Sequence, residues 1–121
     1  MDQTNKIFYV ELPASDPGKT RAFFEKVFGW TFTDYGPDYT SFSDGRMAGG
    51  FFRSEKKASL AAGSALVVIQ HPRLEETLRR VVDHGGRVTQ EIFSYPGGRR
   101  FHFTEPSGNE LSVCADEGAM A

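Results

Sequence analysis

Seven polar side chains occupy strand-like positions from which they can move protons, hold anions or orient a ligand: Tyr9, Glu11, Gln70, Arg100, His102, Glu110 and Ser112. Side chains alternate along a strand, so Tyr9 and Glu11 share one face of the stretch Ile7 to Leu12. By the same rule Glu110, Ser112 and Cys114 share a face near the end of the chain, and Gln70 shares one with Leu66. Partial burial would make Glu11 a general base, or an anchor for a cationic or hydroxyl-bearing ligand. The alternative is a carboxylate fixed by an arginine or by backbone amides. His102 lies between Phe101 and Phe103. If those aromatics face the core, its imidazole faces the opposite side beside Arg100, as an acid–base group or as a rim residue.

The stretch Ser94-Tyr-Pro-Gly-Gly-Arg-Arg100 offers a tight turn in which backbone amides approach a ligand, with two arginines to clamp a carboxylate or phosphate. The alternative is a hairpin with two solvated charges. Pro96-Gly97-Gly98 lacks phosphate-loop spacing. His71, in a turn before Pro72, and His84, in the last turn of a helix where a cation is favourable, read as structural. Cys114 has no cation beside it in sequence to lower its pKa and reads as a small inert residue.

The elements that must position these residues come in two copies, about 57 residues apart. In the first, a strand over Ile7 to Leu12 leads to Asp16-Pro17, a cap and first helical residue. Ala22, Phe23, Phe24, Val27 and Phe28 stripe the helix, and Gly29 stops it. Strand-like stretches follow around Trp30 to Thr33, Tyr39 to Ser43 and Met47 to Arg53. In the second copy a strand over Ala65 to Gln70 leads to a helix opened by Pro72 and stopped by Gly85-Gly86. Leu74, Leu78, Val81 and Val82 lie on one side of that helix, and Glu75–Arg79 and Glu76–Arg80 are spaced for ion pairs on the other. Strands are expected near Arg87 to Phe93, Arg99 to Thr104 and Glu110 to Ala115. Each copy is therefore βαβββ, an α+β module: one spans about 6–53, the other about 64–115, with an exposed polar connector over 54–63.

The whole, 1–121, is expected to be one domain, with room for an apolar core but not for a second catalytic domain. A net charge of −2 gives no broad basic field, so neither nucleic acid nor an anionic membrane is expected as the main partner. No run of roughly 18 apolar residues occurs, and Met1 to Asn5 does not open a secretory signal. With a single cysteine no internal disulfide forms, and a cytoplasmic setting is the expectation.

Glu11-Leu-Pro-Ala-Ser-Asp16, Phe23-Phe24, Val27-Phe-Gly-Trp30, His84-Gly-Gly86 and Phe103-Thr-Glu-Pro-Ser-Gly-Asn109 together resemble the glyoxalase, bleomycin-resistance and extradiol-dioxygenase superfamily, the vicinal oxygen chelate proteins. The resemblance implies two paired βαβββ modules whose sheets form an incomplete barrel around a cavity, in a chain that forms a homodimer. It also implies one divalent ion held by His, Glu or Gln from four strands, polarising a substrate through two oxygens. Carried over by position, the ligand places fall on Tyr9, Leu66 and Ser112, and the fourth, within Met47 to Phe52, meets no carboxylate, histidine or glutamine. A neutral phenol, a hydrocarbon and a hydroxyl are poor ligands, so no metal and no other cofactor is expected.

The favoured reading is a glyoxalase-like protein that binds a small organic molecule in its cavity. Tyr9, Glu11, Gln70, Arg100, His102, Glu110 and Ser112 would orient the ligand, with Glu11 and His102 as the groups able to catalyse. Trp30, Phe42, Phe51 and Phe101 would supply aromatic walls. One alternative is a metal-dependent lyase, isomerase or dioxygenase using Glu11, His102 and Glu110. Another is a dimeric interaction module with a vestigial cavity.

Overall fold

The structure is a computed structural model that describes residues 2–116. Its order is β1 (Tyr9–Ala14), α1 (Pro17–Phe28), β2 (Thr31–Asp34), β3 (Tyr39–Ser43), β4 (Ala48–Arg53), β5 (Val67–Gln70), α2 (Leu74–Asp83), β6 (Arg87–Tyr95), β7 (Gly98–Thr104) and β8 (Glu110–Asp116). Two four-stranded mixed sheets result, ordered β1-β4-β3-β2 and β5-β8-β7-β6. The duplication is visible in the pairing: β1 runs parallel to β4 as β5 does to β8, and the remaining neighbours are antiparallel. The sheets do not close into a barrel, and β1 and β5 each lie at a sheet edge.

Local chemistry explains the first helix. Asp16 accepts the Lys19 amide at 3.0 Å, Pro17 takes the first position, and Gly29 ends the helix at φ 73° in the left-handed region. The second helix starts at Leu74, two residues beyond the proline expected to open it, after an Arg73 that makes no side-chain cap. Its expected ion pairs are replaced. Glu75 reaches Arg99 on β7 at 2.9 Å, Glu76 meets Arg73 at 3.2 Å, and Arg80 donates to the Lys26 carbonyl of α1. Arg99 and Arg80 tie α2 to neighbouring elements, while Arg73 at the helix start pairs one turn along.

Phe23, Phe24, Phe51, Phe101 and Phe103 are fully or almost fully buried between helices and sheets. Trp30 stacks between Phe24 and Phe42 at 4.5 and 4.6 Å, contacts worth about 0.5–1.5 kcal/mol each beyond their burial. Gly49 is needed here, since a Cβ on it would sit 2.4 Å from the Phe42 ring. The aromatics expected to wall a ligand cavity are thus largely core: Phe51 and Phe101 are wholly inside it.

The two modules are joined by a buried polar knot. Asn109 on the β7–β8 turn accepts the Ala58 amide at 2.9 Å and donates to the Pro13 carbonyl of β1 and to Glu105 Oε2 at 2.7 Å. Glu105 Oε1 also accepts the Thr20 hydroxyl of α1 at 2.9 Å, and Ser107 Oγ bonds Thr20 Oγ1 at 2.7 Å. Burial pushes the Glu105 carboxyl above its usual range, against the opposing pull of donors from Ser107, Asn109 and Thr20. The connector over 54–63 is correspondingly less exposed than expected, for Ala58 is buried and its carbonyl accepts the Glu110 amide at 2.8 Å.

Candidate functional site

With Leu12 and Ala14 turned into the helix-covered core, alternation turns Tyr9 and Glu11 to the opposite, open face of the first sheet. There they meet Tyr39. Its hydroxyl donates to Glu11 Oε2 at 2.9 Å and lies 2.6 Å from the Tyr9 hydroxyl, which is 3.3 Å from Ser41 Oγ. Proton accounting fixes the direction of the chain. A carboxylate only accepts, so the one phenolic proton of Tyr39 goes to Glu11, and the Tyr9 proton is shared between Tyr39 at 2.6 Å and Ser41 Oγ at 3.3 Å. Ser41 donates to the Gly49 carbonyl at 3.2 Å. Burial, then the bonds to Tyr9 and Glu11, hold the Tyr39 phenol above its ordinary range.

Gly50 makes this chain possible. It pairs with Glu11 on one side and Ser41 on the other, and a Cβ on it would stand 2.0 Å from the Tyr39 hydroxyl. Tyr39 and Ser41 are site residues that the strand pattern alone passes over. Two consecutive glycines inside a strand were the available signal, since glycine there marks a close approach of other atoms.

On the second sheet Phe101 and Phe103 are buried under the helices, so alternation puts Arg100 and His102 on the opposite face, where Arg100 is half-buried and His102 is buried at 6% exposure. Strand register sets Ser112 opposite His102 and Cys114 opposite Arg100. His102 Nδ1 stands 3.6 Å from Glu110 Oε2, and Glu110 Oε1 accepts the Leu60 amide at 2.9 Å. Arg100 spreads over the rings of Phe93 and Tyr95, at 5.4 and 5.1 Å. Burial and the neighbouring Cys114 thiol raise the Tyr95 phenol. Ser112 donates to the Phe101 carbonyl at 3.0 Å, and Gln70 to Asp116 at 3.0 Å. His102 Nε2 and Arg100 Nε are shielded from solvent and meet no hydrogen-bond partner among the described residues. The two-arginine clamp does not form, because alternation sends Arg99 to Glu75 on the helix side and Arg100 to the open side.

The candidates therefore form two clusters, Tyr9 with Glu11 and Arg100 with His102, Glu110 and Ser112, each on its own sheet. Gln70 stands apart at the edge of the second sheet. Glu11 is not gathered with His102 and Glu110: among the described residues no three His, Cys, Asp or Glu side chains are placed to hold a metal ion. A further cleft of about 520 Å³ opens between the sheet edges and is lined by Gln70 but by none of the other six candidates.

The description "Glyoxalase/Bleomycin resistance protein/Dioxygenase superfamily" fits the sequence over residues 6–113. The chain belongs to that superfamily. Similar solved structures agree on the fold. A glyoxalase-related enzyme from Fulvimarina pelagi aligns with a TM-score of 0.77 at 14% identity, covering 93% of this chain and 88% of that one. A mutant fosfomycin resistance protein from Listeria monocytogenes, complexed with manganese(II) and a dihydroxypropylphosphonic acid, gives 0.76 at 14% identity, covering 91% and 89%. Lactoylglutathione lyase from Agrobacterium tumefaciens gives 0.70 at 19% identity, covering 92% and 93%. No curated protein matches the sequence.

The superfamily's divalent ion does not fit the residues found at the corresponding places. Tyr9 is a phenol already bonded to Tyr39, Leu66 carries only carbon, and Ser112 spends its proton on the Phe101 carbonyl. On β4 the Tyr39 hydroxyl stands over Gly50, where a side chain would otherwise project. Divalent ions take charged oxygens, imidazoles or thiolates, and this set has none.

Proposed function

We propose that the protein binds a small organic molecule on the open faces of its sheets without the superfamily's divalent metal, and that a second copy of the chain encloses those faces. The observation that carries this reading is the Tyr9–Tyr39–Glu11 chain over Gly50, a made-to-measure polar surface at a place where metal-dependent relatives are expected to carry ligands. A ligand hydroxyl or amine can donate to the Tyr9 oxygen, whose own proton is engaged by Tyr39 and Ser41, or to Glu11, which is exposed. The half-buried Arg100 guanidinium on the other sheet supplies a complementary donor. Aromatic surface at Phe52, 39% exposed, and at Tyr9 gives the face an apolar component.

The test is a thermal-shift screen of small hydroxylated, amino and carboxylated compounds against the wild type, Tyr39→Phe and Glu11→Gln. A compound present at about 100 times its Kd stabilises the folded state by about 2.7 kcal/mol. The expected result is at least one stabilising compound whose effect is lost in both variants. Equal stabilisation of all three proteins would move the site elsewhere, and no response across the screen would favour an interaction module.

A further inference from the structure

The cleft between β1 and β5 lies apart from both hydrogen-bonded clusters and has a chemistry of its own. Val10, Trp30, Phe42, Val67 and Ile69 supply apolar lining, and the volume of about 520 Å³ lies in the range of small-molecule sites. Its polar side chains are Asp44, Arg46, Gln70 and His71, and the edge strands β1 and β5 add backbone polar groups. Three of the four have defined commitments. Gln70 donates to Asp116, and Asp44 Oδ1 accepts the amides of Arg46 and Met47 at 2.8 and 2.6 Å within its own turn. His71 Nδ1 accepts the Arg73 amide at 3.1 Å, which leaves the ring proton on Nε2 and makes that N–H its donor. Burial, together with the positive charge of Arg73, holds the imidazole below its usual pKa and so in this neutral form. With His71 neutral, Arg46 is the one cationic side chain among the lining residues, and it sits on an exposed turn.

An apolar wall with one guanidinium and one imidazole N–H among its polar groups selects a particular kind of molecule. We infer that the cleft binds an amphipathic monocarboxylate, its hydrocarbon body against Trp30, Phe42 and the edges of β1 and β5, its carboxylate on Arg46. Arg46 supplies charge-assisted hydrogen bonds, which discriminate a carboxylate from an alcohol or an ammonium of the same length. Asp44 opposes that selection, since its carboxylate repels a carboxylate head group, an effect reduced by the amides of Arg46 and Met47 that its Oδ1 accepts.

Trp30 is the chain's one tryptophan and lines the cleft, so its fluorescence reports occupancy directly. Decanoate, decanol and decylamine, each below its micelle concentration, share a body and differ in head group. Decanoate is expected to give a saturable change in Trp30 emission and a rise in Tm, with decanol at least about tenfold weaker and decylamine weaker still. Arg46→Gln, on the surface, should weaken decanoate about tenfold and leave decanol unchanged. Val67→Phe, which fills the cleft, should remove both responses while circular dichroism stays native. Equal binding of the three probes, or an Arg46→Gln protein that binds decanoate like the wild type, overturns the inference. So does a Trp30 spectrum that changes with protein concentration alone, which would make a second copy the occupant. Because Tyr39→Phe and Glu11→Gln do not touch the cleft, failure of the open-face reading leaves this titration intact.

Discussion

Replacing Asn109 by alanine should be among the most damaging single changes in the protein. The side chain is fully buried and bonds three groups from three parts of the chain: the Ala58 amide, the Pro13 carbonyl and the Glu105 carboxylate. Truncation leaves all three without that partner at once. An unsatisfied buried group costs about 1–3 kcal/mol, which would sum to about 3–9 kcal/mol if the terms were independent. They are not, since Glu105 keeps its Thr20 and Ser107 donors and water can enter the space left behind. A loss of about 3–5 kcal/mol is therefore expected, against a total stability of about 5–15 kcal/mol for a typical domain. Urea unfolding followed by Trp30 fluorescence and by far-ultraviolet circular dichroism measures it. Asn109→Asp sharpens the test: it keeps an oxygen for Ala58 but sets a second carboxylate against Glu105. That variant should be weakest near neutral pH and recover on mild acidification, as one of the two carboxyls takes a proton. A loss below about 1 kcal/mol for Asn109→Ala would show that the modules are not held by this knot.

The raised pKa of Glu105 has a definite pH signature. Because the folded state holds the proton more tightly than the unfolded chain, this group's stabilisation is complete below the ordinary carboxyl value of 4.5. It is lost as pH rises through the folded value, so Glu105→Gln should flatten the fall in urea midpoint over the weakly acidic range. Gly50→Ala should displace the Tyr39 hydroxyl, because its Cβ would lie 2.0 Å away. Ultraviolet difference titration would then show one tyrosine ionising nearer its ordinary range, and an unchanged titration would contradict the packing described. Glu11→Gln should lower the same tyrosine's apparent pKa by a smaller amount, since burial comes first among the causes of its rise. Asp16→Ala should cost about 1 kcal/mol in urea unfolding through loss of the cap on α1.

Much of the fold was legible because its signals are local. Asp16-Pro17 and Gly29 mark the ends of α1, and the alternation Val10, Leu12 against Tyr9, Glu11 sets the faces of β1. Where the reading missed, a distant partner decided. The first strand begins at Tyr9 rather than Ile7, since Tyr9 pairs with Ala48, the first residue of β4; Ile7 and Phe8 remain exposed before it. Pairs spaced for the surface of α2 gave way to Arg99, brought alongside by the fold of β7. Pro106 and Gly108 mark Glu105 to Asn109 as a turn, and only the approach of β1, α1 and the linker reveals it as the joint. For the candidate site, alternation places Tyr9 with Glu11, and Arg100 with His102, on shared strand faces. Tyr39, a strand away and 28 residues from Glu11, has no sequence spacing that ties it to either phenol or carboxylate.

Elemental analysis of the purified protein, with titration of nickel, zinc, manganese and ferrous iron followed by thermal stability, tests the metal-free reading most directly. A face organised by Tyr9, Tyr39 and Glu11 predicts metal well below stoichiometric levels and no rise in Tm with any of the four ions. Near-stoichiometric metal with a clear stabilisation, lost in Glu11→Gln or in a Glu110→Gln variant, would contradict it.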